Sequence, residues 1–334
     1  WDMDLLAVEM KGLDDEGFDL SLIGFDTEEL TDIFNDQAAN IGRAGALAEE
    51  FTAPPFSVLN AREGWWQDRK REWLKKIGEH GESREGALAD EGYLVGSINS
   101  GVSILDPVLS ELIVRWFGLA GGLAFDPFAG DSVFGYVAGD CGMDFVGIEL
   151  RSEQAKLNQD RTRKAGLPCI YHCDTSENMD KYIQPNSVDL VFSCPPYADL
   201  EVYSDNPKDL SAMGQDDFFD ALCAILSHTY TKLKNDRFAV ITIGEVRGSD
   251  GAYIQLVPSI INIMCAAGYK YHNEMIIVTA AGTLPMRAGR SMRASRKVGK
   301  THQNVLVFLK GDSKKAADDL GDVAAFINEA ADAH

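Results

Sequence analysis

From Ser103 onward the chain alternates short apolar runs with helical ones, a pattern that few architectures can accept. Strands are expected at 122–127, 144–149, 168–173, 188–193, 237–243, 270–278 and 303–309, with helices at 106–117, 131–139, 152–165, 215–234 and 253–267. The first of these helices sets Leu109, Leu112, Ile113, Trp116 and Phe117 on one side. Strands interleaved with helices in this way predict an α/β fold whose largely parallel sheet is covered on both faces. No helix long enough for a crossover is read between the last two strands, so they are predicted to pair antiparallel. The expected sheet has seven strands, mainly parallel, and closes on an antiparallel hairpin.

The flanking segments differ in character. Residues 1–50 mix short apolar patches such as Leu5-Leu6, Leu22-Ile23 and Ile33-Phe34 with fourteen acids against Lys11 and Arg43. Their spacing predicts a small helical appendage, too short to form a core alone. Pro54-Pro55 marks a boundary. A basic, aromatic segment follows, helical from Gly64 onward, with Trp65, Trp66, Arg69, Lys70, Arg71 and Trp73; it reads either as packing or as a nucleic-acid face. The expected division is an acidic appendage over 1–52, a basic and aromatic helix with a loop over 53–100, the main α/β domain over 101–311, and an acidic tail over 312–334.

Composition excludes several classes. With 334 residues, 45% of them apolar, the chain can bury a large core. No apolar run approaches the eighteen residues of a membrane span, and no basic-then-apolar leader opens the sequence, so no membrane partner and a cytoplasmic location are expected. A start at Trp1 rather than Met suggests a piece of a longer protein. Six cysteines without repeated spacing argue for reduced thiols. Cys169-Ile170-Tyr171-His172-Cys173 reads as a buried strand rather than a zinc site, because no second ligand pair follows; no metal is expected.

A net charge of −21 counts against a nucleic-acid partner until its distribution is considered. The appendage and the tail hold most of the excess acid. Nothing acidic lies between Glu274 and Asp312, whereas that interval holds Arg287, Arg290, Arg293, Arg296, Lys297, Lys300 and Lys310. A basic insertion over 279–302 on an acidic protein can follow a phosphate backbone or enter a groove.

Every candidate site residue falls at the carboxyl end of a predicted strand, where open parallel sheets hold their ligands. Asp126 closes the first strand, and Phe128-Ala129-Gly130-Asp131-Ser132 turns into a helix whose N–H groups can meet a ligand carboxylate. A phosphate loop is a poor reading, since Tyr136 stands where Lys is needed, and no Gly-x-Gly-x-x-Gly is present. Glu149, followed by Leu150, closes the second strand where a carboxylate can accept both hydroxyls of a ribose. Asp174 closes the third, where it can accept an adenine amino group. Ser193-Cys194-Pro195-Pro196-Tyr197 closes the fourth: the prolines fix chain direction, and Tyr197 offers a face on which a planar base can stack.

On these motifs, residues 97–311 resemble a class I, Rossmann-like S-adenosylmethionine-dependent DNA methyltransferase of the amino-methylating kind, with the cofactor motif ahead of the catalytic one. The resemblance implies S-adenosylmethionine as cofactor. It carries the family's cofactor loop onto Asp126-Pro127-Phe128-Ala129-Gly130, its ribose ligand onto Glu149, its adenine contact onto Asp174, and its methionine-end segment onto Ile104 and Asp106. Cys194-Pro195-Pro196-Tyr197 is similar to the catalytic tetrapeptide, which normally begins with Asp, Asn or Ser. The first 50 residues resemble the helical tail of a ParB-like nuclease domain that phages and plasmids fuse to such methylases, as in restriction-modification.

Cys194 departs from the family pattern. As a near-isostere of Ser it favours cytosine N4 over adenine N6, and a thiol is a weaker acceptor than carboxylate or amide. An alternative makes Cys194 a nucleophile for cytosine carbon 5; others make RNA the acceptor or leave a binding module without activity. With double-stranded DNA as partner the base must be flipped out, and Glu201 and Tyr203 are placed to line its pocket.

Overall fold

The computed structural model describes residues 47–78, 105–131, 133–197, 204, 206–248 and 250–323. The chain divides into two compact units, Trp1–Pro55 and Phe56–His334. In the first, residues 47–51 are helical.

Among the described residues the second unit carries one sheet of eight strands. In chain order these are β1 (Val58–Asn60), β2 (Leu123–Asp126), β3 (Asp144–Glu149), β4 (Cys169–Cys173), β5 (Val188–Ser193), β6 (Leu233–Ile243), β7 (Lys270–Val278) and β8 (His302–Lys310). Across the sheet the order is β1-β7-β8-β6-β5-β2-β3-β4, with β8 antiparallel to both neighbours and every other pair parallel. The expectation of seven strands is therefore corrected to eight. The extra one, β1, extends the β7 edge and is too short to show an alternating pattern.

Helices α1 (Gly64–Ile77), α2 (Pro107–Phe117), α3 (Val133–Asp140), α4 (Ser152–Lys164), α5 (Gln215–Lys232), α6 (Leu256–Ala266), α7 (Leu284–Ser295) and α8 (Ser313–Leu320) complete the unit. In α5 the buried positions are Phe218, Leu222, Ile225, Leu226 and Thr229, one stripe at helical spacing. That stripe joins Val191, Ala239, Ile241 and Phe308 of the sheet in one apolar cluster. Each such Leu, Ile or Phe contributes about 1.5–3 kcal/mol by leaving water.

Two segments are more ordered than the sequence announces. The segment between β7 and β8, read from sequence as a basic arm, contains α7, twelve residues long. None of its residues is buried, so no apolar stripe announces it. The strands on either side still pair antiparallel, and Thr279 N–H donates to Thr301 O at 2.9 Å across the foot of the insertion. Of the two readings left open for α1, packing accounts for two of its tryptophans, while Trp65 and Arg71 are exposed. Trp66 and Trp73 are buried and donate to Asp106 Oδ1 at 3.2 Å and Glu111 Oε2 at 2.7 Å. Arg69 pairs with the same Glu111 and Lys70 with Asp106 at 2.8 Å.

Gly135 in α3 shows how tightly the core closes over β3 and β4. A Cβ there would lie 2.1 Å from Tyr171 Oη and 2.5 Å from the Phe145 ring, so only glycine fits. No helix among the described residues is long and apolar enough to cross a membrane.

Candidate active site

Strands β2, β3, β4 and β5 are mutually parallel, and chain order reverses between β2 and β5. At such a reversal the connections leave in opposite directions and open a crevice at the carboxyl edge. One cavity lies there. Asp126, Phe128, Ala129, Gly130 and Asp131 line it from β2, Glu149 and Leu150 from β3, Asp174 from β4, and Cys194 and Pro196 from β5. Four separate strand tips, seventy residues apart in sequence at the extremes (Asp126 to Pro196), thus meet in one place.

Asp126 forms the joint between the two outermost motifs. Its Oδ1 accepts from Phe128 N–H at 2.8 Å, which tightens the turn, and from the hydroxyl of Ser193 at the end of β5. Burial pushes this carboxyl up to about 7, opposed by those two hydrogen bonds and reinforced by the neighbouring Glu149.

Glu149 is fixed from both sides. Its Oε1 accepts from Arg151 N–H at 2.9 Å, and the backbone of Gly130 donates to the same carboxylate. Gly130 reaches that position with φ +49°, a left-handed turn that glycine adopts without strain. Burial raises the Glu149 carboxyl, while the Arg151 contacts pull it back. Asp131 is held by Arg161 Nη1 at 2.8 Å, and Asn158 Nδ2 donates to Gly130 O at 2.8 Å, so α4 clamps the β2 turn.

Asp174 is already saturated. Oδ1 accepts from Thr175 N–H and Asn178 Nδ2, both at 2.8 Å; Oδ2 accepts from Tyr182 Oη at 2.8 Å and Lys181 Nζ at 3.1 Å. Those four donors fill the roughly four lone-pair positions a carboxylate has. They hold its pKa well below the ordinary aspartate range, the Asn178 bond first among them.

The β5 tip faces two ways. Cys194 and Pro196 line the cavity just described, whereas Tyr197 lines an adjacent one with Gly244, Lys300 and Gln303. Cys194 and Tyr197 are hydrogen-bonded to each other, and Gln303 Nε2 donates to Tyr197 Oη at 2.8 Å. Burial, then Cys194, drives the Tyr197 hydroxyl well above its ordinary value, so it stays protonated. Pro195, between them, is buried.

Other expected site residues lie elsewhere. Asp106 caps α2 by accepting from Val108 N–H at 2.9 Å and also takes Trp66 and Lys70; Leu105 beside it lines the cavity, whereas Asp106 is not among the lining residues. An acid before Pro suits a helix start as well as a ligand, and here the helix start claims it. Arg287, Arg290 and Arg293 follow one another along exposed α7, and Arg296 ends it at φ +55°. Lys297 and Lys300 lie in the segment that leads from α7 back to β8. Ile104, Ser132, Glu201 and Tyr203 lie outside the described residues. Sequence reasoning missed Arg151, Arg161 and Gln303, whose partners are distant in sequence or at an unremarked turn.

The strand order and the tip cavity are those of a Rossmann-like α/β fold, here with a mixed sheet of eight strands. Residues 4–59 match the family model of the ParB-methyltransferase HTH domain. A comparison with curated proteins returns no match. Among solved structures, TrmN from Thermus thermophilus is 14% identical with a TM-score of 0.43, over 62% of this chain and 49% of that one. The chain thus spans about half the length of that protein. Geranyl diphosphate methyltransferase in complex with SAM is 14% identical, with a TM-score of 0.44 over 62% of this chain and 86% of that one. The [4+2]-cyclase SpnF is 15% identical at a TM-score of 0.44, over 73% and 96%.

Proposed function

We propose that the protein is an S-adenosylmethionine-dependent DNA methyltransferase that modifies an exocyclic amino group of a flipped-out base, cytosine N4 in preference to adenine N6. The observation that carries this reading is the hydrogen bond from Ser193 to Asp126, which joins the cofactor-type turn to the Cys194-Pro195-Pro196-Tyr197 turn in one buried corner. A donor and an acceptor held by these two turns would lie side by side.

The residues fit such a cofactor. Asp126 and Glu149 are buried carboxylates at neighbouring strand tips, and the groups acting on Asp126 are two hydrogen-bond donors and a like charge rather than a cation. A positively charged nucleoside would offset that buried negative charge. Glu149 would accept the ribose hydroxyls. Asp174 would take an adenine amino group only where Lys181, its most weakly held donor, gives way. When bound, the cofactor supplies an electrophilic methyl group on sulfur.

This chain's own residues do the rest. Cys194 and Pro196 wall the cavity on the acceptor side, and the Tyr197 ring, fixed by Gln303, offers the stacking face. The thiol of Cys194 orients an amine without removing its proton strongly, so the barrier falls chiefly through alignment. Duplex DNA hides that amine, and the base must leave the stack. The cations of α7 supply phosphate contacts. The likeness of residues 4–59 to a methyltransferase-associated HTH domain supports DNA as acceptor. A cytoplasmic location goes with that reading.

Incubation of duplex DNA and of RNA with labelled cofactor, followed by mass spectrometry of the nucleosides, tests the reading. N4-methylcytosine is expected. N6-methyladenine would move the base, 5-methylcytosine would make Cys194 a nucleophile, and label in RNA alone would move the acceptor. No label in either would end the proposal.

A further inference from the structure

Beside the catalytic corner lies a second cavity of about 440 Å³, lined by Tyr197, Gly244, Glu245, Val246, Arg247, Thr279, Lys300, His302 and Gln303. It shares a wall with the tetrapeptide through Tyr197, and its far side belongs to β8 and the segment after α7. Its lining residues come from four separate stretches of chain, and the cofactor cavity uses none of them.

Its charge is lopsided. Arg247 is held in place by stacking on the Tyr253 ring at 4.1 Å and by donating from Nη1 to Gly251 O at 2.9 Å. Lys297 reaches the same corner, since a Cβ on Gly251 would lie 2.3 Å from its Nζ. Lys300 is half-buried at the cavity wall, and burial lowers its pKa while Glu245 raises it. Among the described residues Glu245 is the one acid lining the cavity, and its carboxylate is engaged in capping α6, accepting from Leu256 N–H at 3.1 Å and Val257 N–H at 3.0 Å. Two cations, Arg247 and Lys300, therefore line a space whose described carboxylate is committed elsewhere, with Lys297 close to the Gly251 turn beside Arg247. Gathering them in one partly buried place costs self-repulsion and desolvation, which an anionic occupant would offset.

We infer that this cavity is a phosphate site, and that it grips the backbone phosphate next to the acceptor base while Tyr197 stacks on that base. The inference rests on the proposed nucleic-acid acceptor and sharpens it: the substrate is a nucleotide within a chain, gripped by Arg247 and Lys300, rather than a nucleoside. His302, on the same wall, is an internal reporter. Burial and then Lys300 hold its imidazole below the ordinary histidine range, and an arriving dianion raises it.

The test uses the whole chain and inorganic phosphate as first probe. Phosphate is expected to raise the His302 pKa, followed by NMR, in a saturable way, and Lys300→Met is expected to weaken that binding at least fivefold. Arg247→Met serves as a second variant, with cofactor affinity by calorimetry as the check that the fold persists. In a second arm, a duplex carrying one neutral methylphosphonate beside the methylated base should bind the wild type at least fivefold more weakly than the unmodified duplex. It should bind Lys300→Met with little further loss. No response of His302 to phosphate, or a response to cytidine instead, overturns the phosphate site. Equal methylphosphonate losses in wild type and Lys300→Met overturn its placement beside the acceptor. A phosphate response without any duplex binding leaves the anion site standing and refutes the DNA reading.

Discussion

The strand-tip corner and helix α7 solve opposite problems with opposite materials. At the corner, Asp126, Glu149, Asp131 and Asp174 are each held by two or more hydrogen bonds or ion pairs, three of these acids are buried, and all four line one cavity. On α7 the side chains are unburied, Met286 is 81% exposed, and Arg287, Arg290 and Arg293 supply charge without a packed surround. A small rigid ligand rewards fixed geometry, because each ordered group has already lost its entropy. A phosphate backbone rewards charge that can adapt to it. The two regions should therefore respond to substitution in separable ways.

The largest expected effect is the most direct attempt to break this division. Asp126→Ala removes the acceptor that ties Ser193 to Phe128, and cofactor affinity measured by calorimetry should become undetectable. Duplex DNA affinity should stay within threefold of wild type. An equal loss of both ligands would mean that corner and helix act as one site, and the contrast would be wrong.

Next in size is a pH effect confined to the corner. Because the folded protein holds the Asp126 proton up to about 7, whereas an unfolded aspartate releases it near about 4, stability falls as pH rises between those limits. The expected loss is on the order of 4 kcal/mol, an upper bound given the coupling to Glu149. Asp126→Asn should flatten the decline, as urea unfolding at pH 5 and pH 8 would reveal. An unchanged slope in that variant would place the titration on another group.

Much of this arrangement can be read in the chain before it folds. Short apolar runs fix β3 and β5 to the residue, because a buried parallel strand leaves little choice of side chain. The acids at the strand tips are legible for a related reason: a carboxylate directly after an apolar run has few uses besides a cap or a ligand. That same ambiguity attends Asp106, whose partners Trp66 and Lys70 lie some forty residues earlier and are not legible from its neighbours. Helix α7 escapes because its formation rests on Leu, Met, Arg and Ala propensity rather than on a buried face. The second cavity escapes because Arg247 and His302 become neighbours only once β6 and β8 pair.

A smaller effect belongs to the helix. Arg290→Ala combined with Arg293→Ala should weaken duplex binding about tenfold at moderate salt, and lower the slope of log affinity against log salt by roughly 2. Cofactor affinity should not move. If the salt slope is unchanged, the phosphate contacts lie elsewhere on the protein.

The smallest prediction sharpens the contrast by comparing what each region costs the fold. At Gly135, beneath the corner, one added methyl would overlap Tyr171 and Phe145, so Gly135→Ala should destabilise by about 1–3 kcal/mol. Met286 sits on α7 with no buried neighbour on its own helix, and Met286→Gln keeps length and helix propensity while removing apolar surface. Its stability should stay within about 0.5 kcal/mol of wild type in urea titration. A larger loss would mean that the thioether is seated against something, and the picture of α7 as an unpacked carrier of charge would have to be given up. The substitution therefore tests the helix where it is most exposed, with charge and backbone both left in place.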